Sequence, residues 1–293
     1  MSRFTHAIVS RIPQQVQVES ALVLGSGVAP LDLAKARKEQ EDFCEMLRQA
    51  GVDVIELSPE DKAPASSLFL EDLAIVCNGT ALVTRPNRHT RRKEVAALLM
   101  ELGLQVLELD SGSPDKSHHP RVMLEGSDVL FTGREFFVGI SKHTNMEGAM
   151  QLANTFPEFP VTPVRVGGDA HLKAFICLAA PGVLAVSSSA KEAQDILKRI
   201  EREATFRYQT LSIPLVSTAA GGKQSSSVAV NCLNVNGTLI HRGEWPHVSE
   251  KFETLDSSDC TLCPVNMSEL SKMGGLLSQQ CILFRRIKLL KKL

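Results

Sequence analysis

The chain has 293 residues, 43% of them hydrophobic and 22% charged, so it can bury a sizeable core in one large domain or two. Its 32 basic and 33 acidic residues leave a formal net charge of −1, which argues against nucleic acid or an anionic membrane as partner and towards a small, roughly neutral solute. No segment approaches a membrane span and the first residues carry no leader-like pattern, so the expected setting is soluble and cytoplasmic, with mitochondrial association left open. Seven cysteines is an odd number, and Cys77, Cys177 and Cys232 lie in apolar runs, which predicts reduced core thiols rather than a disulfide framework.

In chain order, a short strand is expected at His6–Ser10. The connection through Leu24-Gly25-Ser26-Gly27 lacks the third glycine and the flanking elements of a dinucleotide fingerprint, and reads as a loop. An amphipathic helix follows from Leu31 to Ala50, stopped at Gly51, and then an alternating strand from Val52 to Leu57.

The next segment sets a pattern. Ala74–Cys77, an Asn78-Gly79 turn and Thr80–Val83 form a hairpin; Thr90 to Leu102 is a helix ended by Gly103; Leu104 to Leu109 is a strand. This strand, strand, helix, strand order recurs three times. The second copy has Val129–Phe131, a turn at Gly133-Arg134, Phe136–Val138, a helix at about Asn145 to Thr155 and Val161–Val166. The third has Leu172–Leu178, the turn Ala180-Pro181-Gly182, Val183–Val186, a helix from Ala190 to Glu203 and Tyr208–Ile213. The fourth has Val228–Val235, the Asn236-Gly237 turn, Thr238–His241, a helix near His247 to Leu255 and Thr261–Val265.

Strands remain unused at both ends. The stretch Leu276–Phe284, joined to the N-terminal strand, the Leu31 helix and Val52–Leu57, makes a fifth copy, so the termini must meet. A repeat of this period indicates a ring or an array, and the split copy indicates a closed ring of one domain over residues 1–293, with strands near the axis and helices outside. Residues 286–293 form a basic tail that reads as a solvated terminus.

Superposing the copies gathers reactive side chains. Glu71-Asp72, then Glu125 with Asp128, then His171, precede the first strands of copies one, two and three, and Cys281 lies in that of copy five. Carboxylates to hold a planar cation, a thiolate to attack it and a histidine to protonate the departing amine suit an amidine-like carbon. Each has a plainer reading as well: a turn cap, a satisfied polar group, a core cysteine. The Cys260-Thr261-Leu262-Cys263 spacing has no second pair for a metal, and His118-His119 sits in a polar loop; no metal or cofactor is expected.

Phe69-Leu70-Glu71-Asp72, Thr84-Arg85-Pro86, Arg91-Arg92-Lys93-Glu94-Val95, the run from Asp128 to Gly139, His171-Leu172-Lys173 and Ser268-Glu269-Leu270 closely resemble the dimethylarginine dimethylaminohydrolase family over nearly the whole chain, and most of all its divergent second vertebrate branch. The resemblance implies the α/β pentein fold, a five-bladed ring. It implies cofactor-free hydrolysis of asymmetric dimethylarginine or monomethylarginine to citrulline and a methylamine, which supports nitric-oxide synthesis, through a covalent intermediate on cysteine. By the same resemblance Asp72 binds the guanidinium, Glu71 supports the catalytic histidine, His171 is that histidine, and Arg91 lies at the substrate's amino-acid end. Glu125 joins the substrate carboxylates.

Four positions depart from the family pattern. Ser66 replaces a guanidinium-binding aspartate, His143 replaces the arginine that clamps the substrate carboxylate, and Gly274 replaces an aspartate near the substrate amine. Ungapped alignment from Ser268 puts Gln279 at the nucleophile's place, with Cys281 two residues later, roughly 6.6 Å along an extended strand. Two readings follow. One is a hydrolase acting on a small guanidino or amidine compound with Cys281 as nucleophile. The other is a weak or inactive ring that regulates nitric-oxide or other signalling through protein partners.

Overall fold

The computed structural model describes residues 3–16, 30–60, 63–86, 91–109, 121–188, 190–217, 225–226, 228–255 and 260–286. The Gly25 loop and the His118-His119 pair fall outside these residues, as does most of the basic tail. In order the elements are β1 (His6–Ser10), α1 (Leu33–Gln49), β2 (Asp53–Leu57), β3 (Ala74–Cys77), β4 (Thr80–Val83), α2 (Arg92–Glu101), β5 (Gln105–Glu108), β6 (Val129–Phe131), β7 (Phe136–Ile140), α3 (Met146–Thr155) and β8 (Val161–Arg165). They continue with β9 (Ile176–Ala180), β10 (Val183–Ser187), α4 (Lys191–Glu203), β11 (Gln209–Ile213), β12 (Val216–Ser217), β13 (Ser225–Ser226), β14 (Cys232–Val235), β15 (Thr238–Arg242), α5 (Pro246–Glu253), β16 (Thr261–Val265) and β17 (Cys281–Phe284).

Five three-stranded sheets result, in the orders β3-β4-β5, β6-β7-β8, β9-β10-β11, β14-β15-β16 and β17-β1-β2, with a small β12-β13 ribbon besides. In each blade the inner strand runs antiparallel to the middle one, and the middle strand parallel to the outer one across its helix, for example β3 to β4 and β4 to β5. The fifth blade closes as expected: Ile8 pairs with Ile282 and Val9 with Cys281, so the last strand lies against the first. Asn78 (φ 47°) with Gly79 (φ 81°), and Asn236 (φ 55°) with Gly237 (φ 88°), take the double positive-φ geometry that a two-residue hairpin turn needs.

Helix ends follow their local chemistry. Asp32 accepts hydrogen bonds from the Ala34 and Lys35 amides at the start of α1, and Asn145 accepts one from Gly148 at the start of α3. Apolar residues fill the seams between neighbouring blades. Ile75, Leu82, Val129 and Phe136 join blades one and two; Leu130, Phe137, Ile176 and Leu184 join two and three; Cys177, Ala185, Cys232 and Phe252 join three and four. Val9, Phe43, Val235 and Ile240 join four and five, and Ile8, Ile282, Leu70 and Val83 join five to one. Five such seams close the ring, and each buries apolar surface worth roughly 1.5–3 kcal/mol per large side chain.

The stretches that begin copies three, four and five differ from the extended runs expected there. Leu172–Ala174, Val228–Val230 and Ser278–Gln280 are 3-10 turns, and only the residues after them enter the inner strands. The same turn occurs at Leu70–Leu73 and Gly126–Asp128. All seven cysteines are free thiols.

Candidate active site

Each inner strand is thus entered through a 3-10 turn, and the five turns meet at one end of the ring axis. A single tight turn aims successive side chains in different directions, and the chain uses this to lock the turns together. Gly126 makes the closest approach: a Cβ there would lie 1.9 Å from the Glu71 carbonyl oxygen, so only glycine fits. The segment leading to the C-terminal turn is held from the first helix, where the buried Glu39 carboxylate accepts from Ser268 Oγ at 2.7 Å and from the Leu270 amide at 3.0 Å.

The neighbours Glu71 and Asp72 diverge. Glu71 meets Lys173 Nζ at 2.5 Å and accepts from Ser278 Oγ at 2.8 Å, while Lys173 also donates to the Gly126 carbonyl at 3.1 Å. Asn231 completes this inner ring, donating to the Lys173 carbonyl at 3.0 Å and accepting from the Ser278 amide at 2.8 Å. Burial holds the Glu71 carboxyl above its ordinary range in spite of Lys173. Asp72 faces the other way. Its Oδ1 accepts from the Ser127 amide (2.9 Å) and hydroxyl (2.5 Å), and its Oδ2 accepts from Gln279 Nε2 at 2.8 Å.

His171 stands just before the third turn. Its Nδ1 lies 3.4 Å from Asp128 Oδ2 and its Nε2 lies 3.7 Å from Glu125 Oε2. Asp128 is fully buried and is itself fixed by the Leu172 amide (2.9 Å) and Ser141 Oγ (2.7 Å). His143 lies beside His171, ring centres 4.3 Å apart and planes tilted by 33°, with its Nδ1 3.6 Å from the same Glu125 oxygen. Burial favours the neutral His171 ring, but the Asp128 hydrogen bond and the charges of Asp72, Asp128 and Glu125 overcome it and raise its pKa to about 9. Burial, then repulsion from Asp72, raises the Glu125 carboxyl to about 8. Both shifts favour the protonated form of each group.

The structure brings together Asp72, Glu125, His143 and His171, corrects the assignments of Glu71 and Cys281, and sets Arg91 apart from the cluster. Glu71 does not support His171; Asp128 and Glu125 do, because Glu71 is turned inward to Lys173 and Ser278. Arg91 is buried at the start of α2, donating to the Ser58 carbonyl and lying 3.1 Å from Glu94 Oε2, with no described contact to Asp72, Glu125 or His171. Cys281 does not face Asp72. Gln279 belongs to a 3-10 turn whereas Cys281 is already extended (φ −146°, ψ 157°), so the two side chains do not share a face as they would in one strand.

Cys281 instead packs among Val9, Cys44 and Leu277 and lines an axial cavity of about 410 Å³ behind the Glu71, Lys173 and Ser278 floor. Burial, reinforced by the charge of Glu71, pushes its thiol far up from the ordinary value. Ser127, Lys173, Asn231 and Ser278 belong to the site although the sequence did not single them out. Their common signal is position at the foot of an inner strand.

The model of the family described as N,N dimethylarginine dimethylhydrolase, eukaryotic, matches residues 31–207. DDAH2 of Homo sapiens is 36% identical over 295 residues, covering 96% of this chain and 95% of its own length. The N(G),N(G)-dimethylarginine dimethylaminohydrolase of Pseudomonas aeruginosa is 27% identical, covering 96% and 100%. Among solved structures, a mutant of the Pseudomonas aeruginosa enzyme complexed with citrulline superposes with a TM-score of 0.71 at 23% identity over 96% of this chain and 100% of that one. The N-terminal domain of ArgZ, a cyanobacterial arginine dihydrolase bound to substrate, gives 0.74 at 16% identity over 96% and 98%. The five-bladed ring is the pentein fold of these proteins, and the chain belongs to the eukaryotic dimethylarginine dimethylaminohydrolase family of hydrolases.

Proposed function

We propose that this chain binds a small guanidino or amidinium compound at the Asp72, Glu125 and His171 cluster, as a family hydrolase in which cleavage of methylarginine's C–N bond is strongly suppressed. One observation carries the reading: Gln279 Nε2 donates to Asp72 Oδ2 at 2.8 Å, where a planar cation would place its own N–H. With Oδ1 accepting twice from Ser127, three of the roughly four acceptor positions of Asp72 are filled before any ligand arrives. A guanidinium competes with the Gln279 amide for Asp72 Oδ2, and the thiol nearest in sequence lies behind the inner polar ring, kept protonated by burial. The acid half of the reaction is supported by His171 and Glu125, which stand ready to protonate a departing amine.

The test uses the purified full chain with asymmetric dimethylarginine, monomethylarginine and citrulline. Wild type should bind the cationic compounds and release little citrulline, and Cys281→Ser should leave that small rate unchanged. Gln279→Cys should raise citrulline formation, and adding His171→Ala should remove the gain. Brisk wild-type turnover abolished by Cys281→Ser would overturn the proposal, as would a complete failure to bind guanidino compounds.

A further inference from the structure

Cys177 and Cys232 stand in neighbouring inner strands, β9 and β14, and a hydrogen bond between the strands sets their register. Both strands leave their 3-10 turns at the same end of the ring axis, and Asn234 of β14 donates to the Ala179 carbonyl of β9 at 2.8 Å. Counting two residues back on each strand keeps the face and arrives at Cys232 and Cys177. Next to them, Asn231 donates to the Cys177 sulfur at 3.4 Å, and the Cys232 sulfur lies 4.0 Å from the Leu178 carbonyl. The two thiols therefore meet across the seam between blades three and four, where the Cys232 thiol is hydrogen-bonded to Cys177.

Their surroundings separate these two from the other thiols. Burial works to raise Cys177, but its hydrogen bonds with Cys232 and the charge of Lys173 outweigh burial and lower its pKa, whereas burial pushes Cys44, Cys77, Cys263 and Cys281 up. The thiolate is the form that attacks, so Cys177 is the more reactive member of the pair and Cys232, raised by the same contact, is its neighbour. Both residues line the axial cavity, which reaches the surface at the exposed Asn78 and Arg285. Its volume of about 410 Å³ admits a reagent little larger than water.

We propose that Cys177 and Cys232 form a reversible oxidation site for a small peroxide entering the axial cavity, which closes a disulfide between blades three and four. The Cys177 thiolate attacks one peroxide oxygen, the O–O bond breaks, and the leaving hydroxide takes up a proton to depart as water, leaving a sulfenic acid on Cys177. The Cys232 sulfur then attacks the Cys177 sulfur, the S–O bond breaks, and the Cys232 proton leaves with that oxygen as a second water. Two thiols are oxidised by two electrons and one peroxide is reduced to two waters. The new bond draws Cys177 away from Asn231 and from the Lys173 carbonyl, which its thiol meets at 3.3 Å, so oxidation reaches the polar ring behind Asp72. The chemistry asks nothing of Asp72, Glu125 or His171, and its test is independent of turnover.

The reduced full chain is treated with hydrogen peroxide under native conditions, blocked with iodoacetamide in denaturant, digested and mapped by mass spectrometry. Wild type should yield one peptide pair joined through Cys177 and Cys232, lighter by two hydrogens than the separate peptides and lost on treatment with dithiothreitol. Cys232→Ala should lose the link and leave Cys177 as a sulfenic acid that dimedone captures, and Cys177→Ala should lose the link without dimedone capture at Cys232. The wild-type map decides the matter even where a variant folds poorly. No Cys177–Cys232 link in folded wild type, a link that forms only in denaturant, or dimedone capture at Cys232 rather than Cys177 would overturn the proposal.

Discussion

Lys173→Met removes the cation that faces Glu71 while preserving most of the buried volume. In the native protein Lys173 Nζ lies 2.5 Å from Glu71 Oε1, with the two side chains 13% and 14% exposed. Without that charge, the least costly response of Glu71 is to take up a proton. Each pH unit above the ordinary carboxyl value of 4.5 makes this dearer by about 1.4 kcal/mol, so the lost charge destabilises by up to about 3 kcal/mol near pH 7 and by under about 1 kcal/mol near pH 5. The neutral-pH figure lies at the low end of the roughly 3–5 kcal/mol seen when one partner of a buried pair is removed. The lost hydrogen bond to the Gly126 carbonyl adds about 1 kcal/mol at every pH.

The sign follows from proton linkage. Loss of Lys173 raises the folded-state pKa of Glu71 further above its unfolded value, so the variant's added instability is small below about pH 4.5 and grows as pH rises through the folded value. Urea unfolding of wild type and variant, measured near pH 5 and near pH 7, reads this directly, and Glu71→Gln in the Lys173→Met background should remove the pH-dependent part. A stability difference equal at both pH values, or larger near pH 5, would refute the buried-pair account.

The raised pKa of His171 contributes stability that is present below 6.5 and lost as pH rises to about 9, and the raised carboxyl of Glu125 loses stability from 4.5 to about 8. Both slopes have the same sign, so denaturant midpoints should fall towards alkaline pH and His171→Gln should flatten the upper part of the curve. Native Cys281 should resist iodoacetamide at neutral pH and react only on unfolding, and Cys281→Ser should cost about 1–3 kcal/mol because its hydroxyl enters an apolar cluster. Gly126→Ala should lower the melting temperature by several degrees or prevent folding, since the new methyl meets the Glu71 carbonyl at 1.9 Å. A variant that melts like wild type would contradict the close contact between the first and second turns.

The ring was legible because its parts announce themselves locally. Asn78-Gly79 and Asn236-Gly237 mark hairpins by needing two positive φ angles, and the helices between parallel strands carry ordinary caps and stops. The pairing of Val9 with Cys281 was legible only through counting copies, since nothing local specifies a contact between the chain ends. The 3-10 turns were hidden. Leu172–Leu178 and Leu276–Phe284 are apolar enough to pass for strands, and a turn of three residues has too short a period to disturb that pattern. This one omission accounts for the misplacement of Cys281, since a two-residue spacing keeps one face only in extended chain. It also accounts for Glu71, whose direction relative to Asp72 is set by the turn. Lys173 and Ser278 escaped notice because a lysine and a serine near a strand end are ordinary until their partners, 102 and 207 residues away in sequence, are known.

The joining of the last strand to the first has a consequence for biosynthesis. A ribosome delivers β1 early and β17 only after every other described strand, so until then the fifth blade has no inner strand and two of the five seams stand open. Asp72 and Glu71 likewise wait for Gln279 and Ser278. Until residues 278–284 are made, the nascent chain is therefore an unclosed arc with its polar turns unmatched, so this one stretch is a checkpoint for quality control: a product cut before it would lack the side chains that complete the cluster and also the strand that shuts the ring.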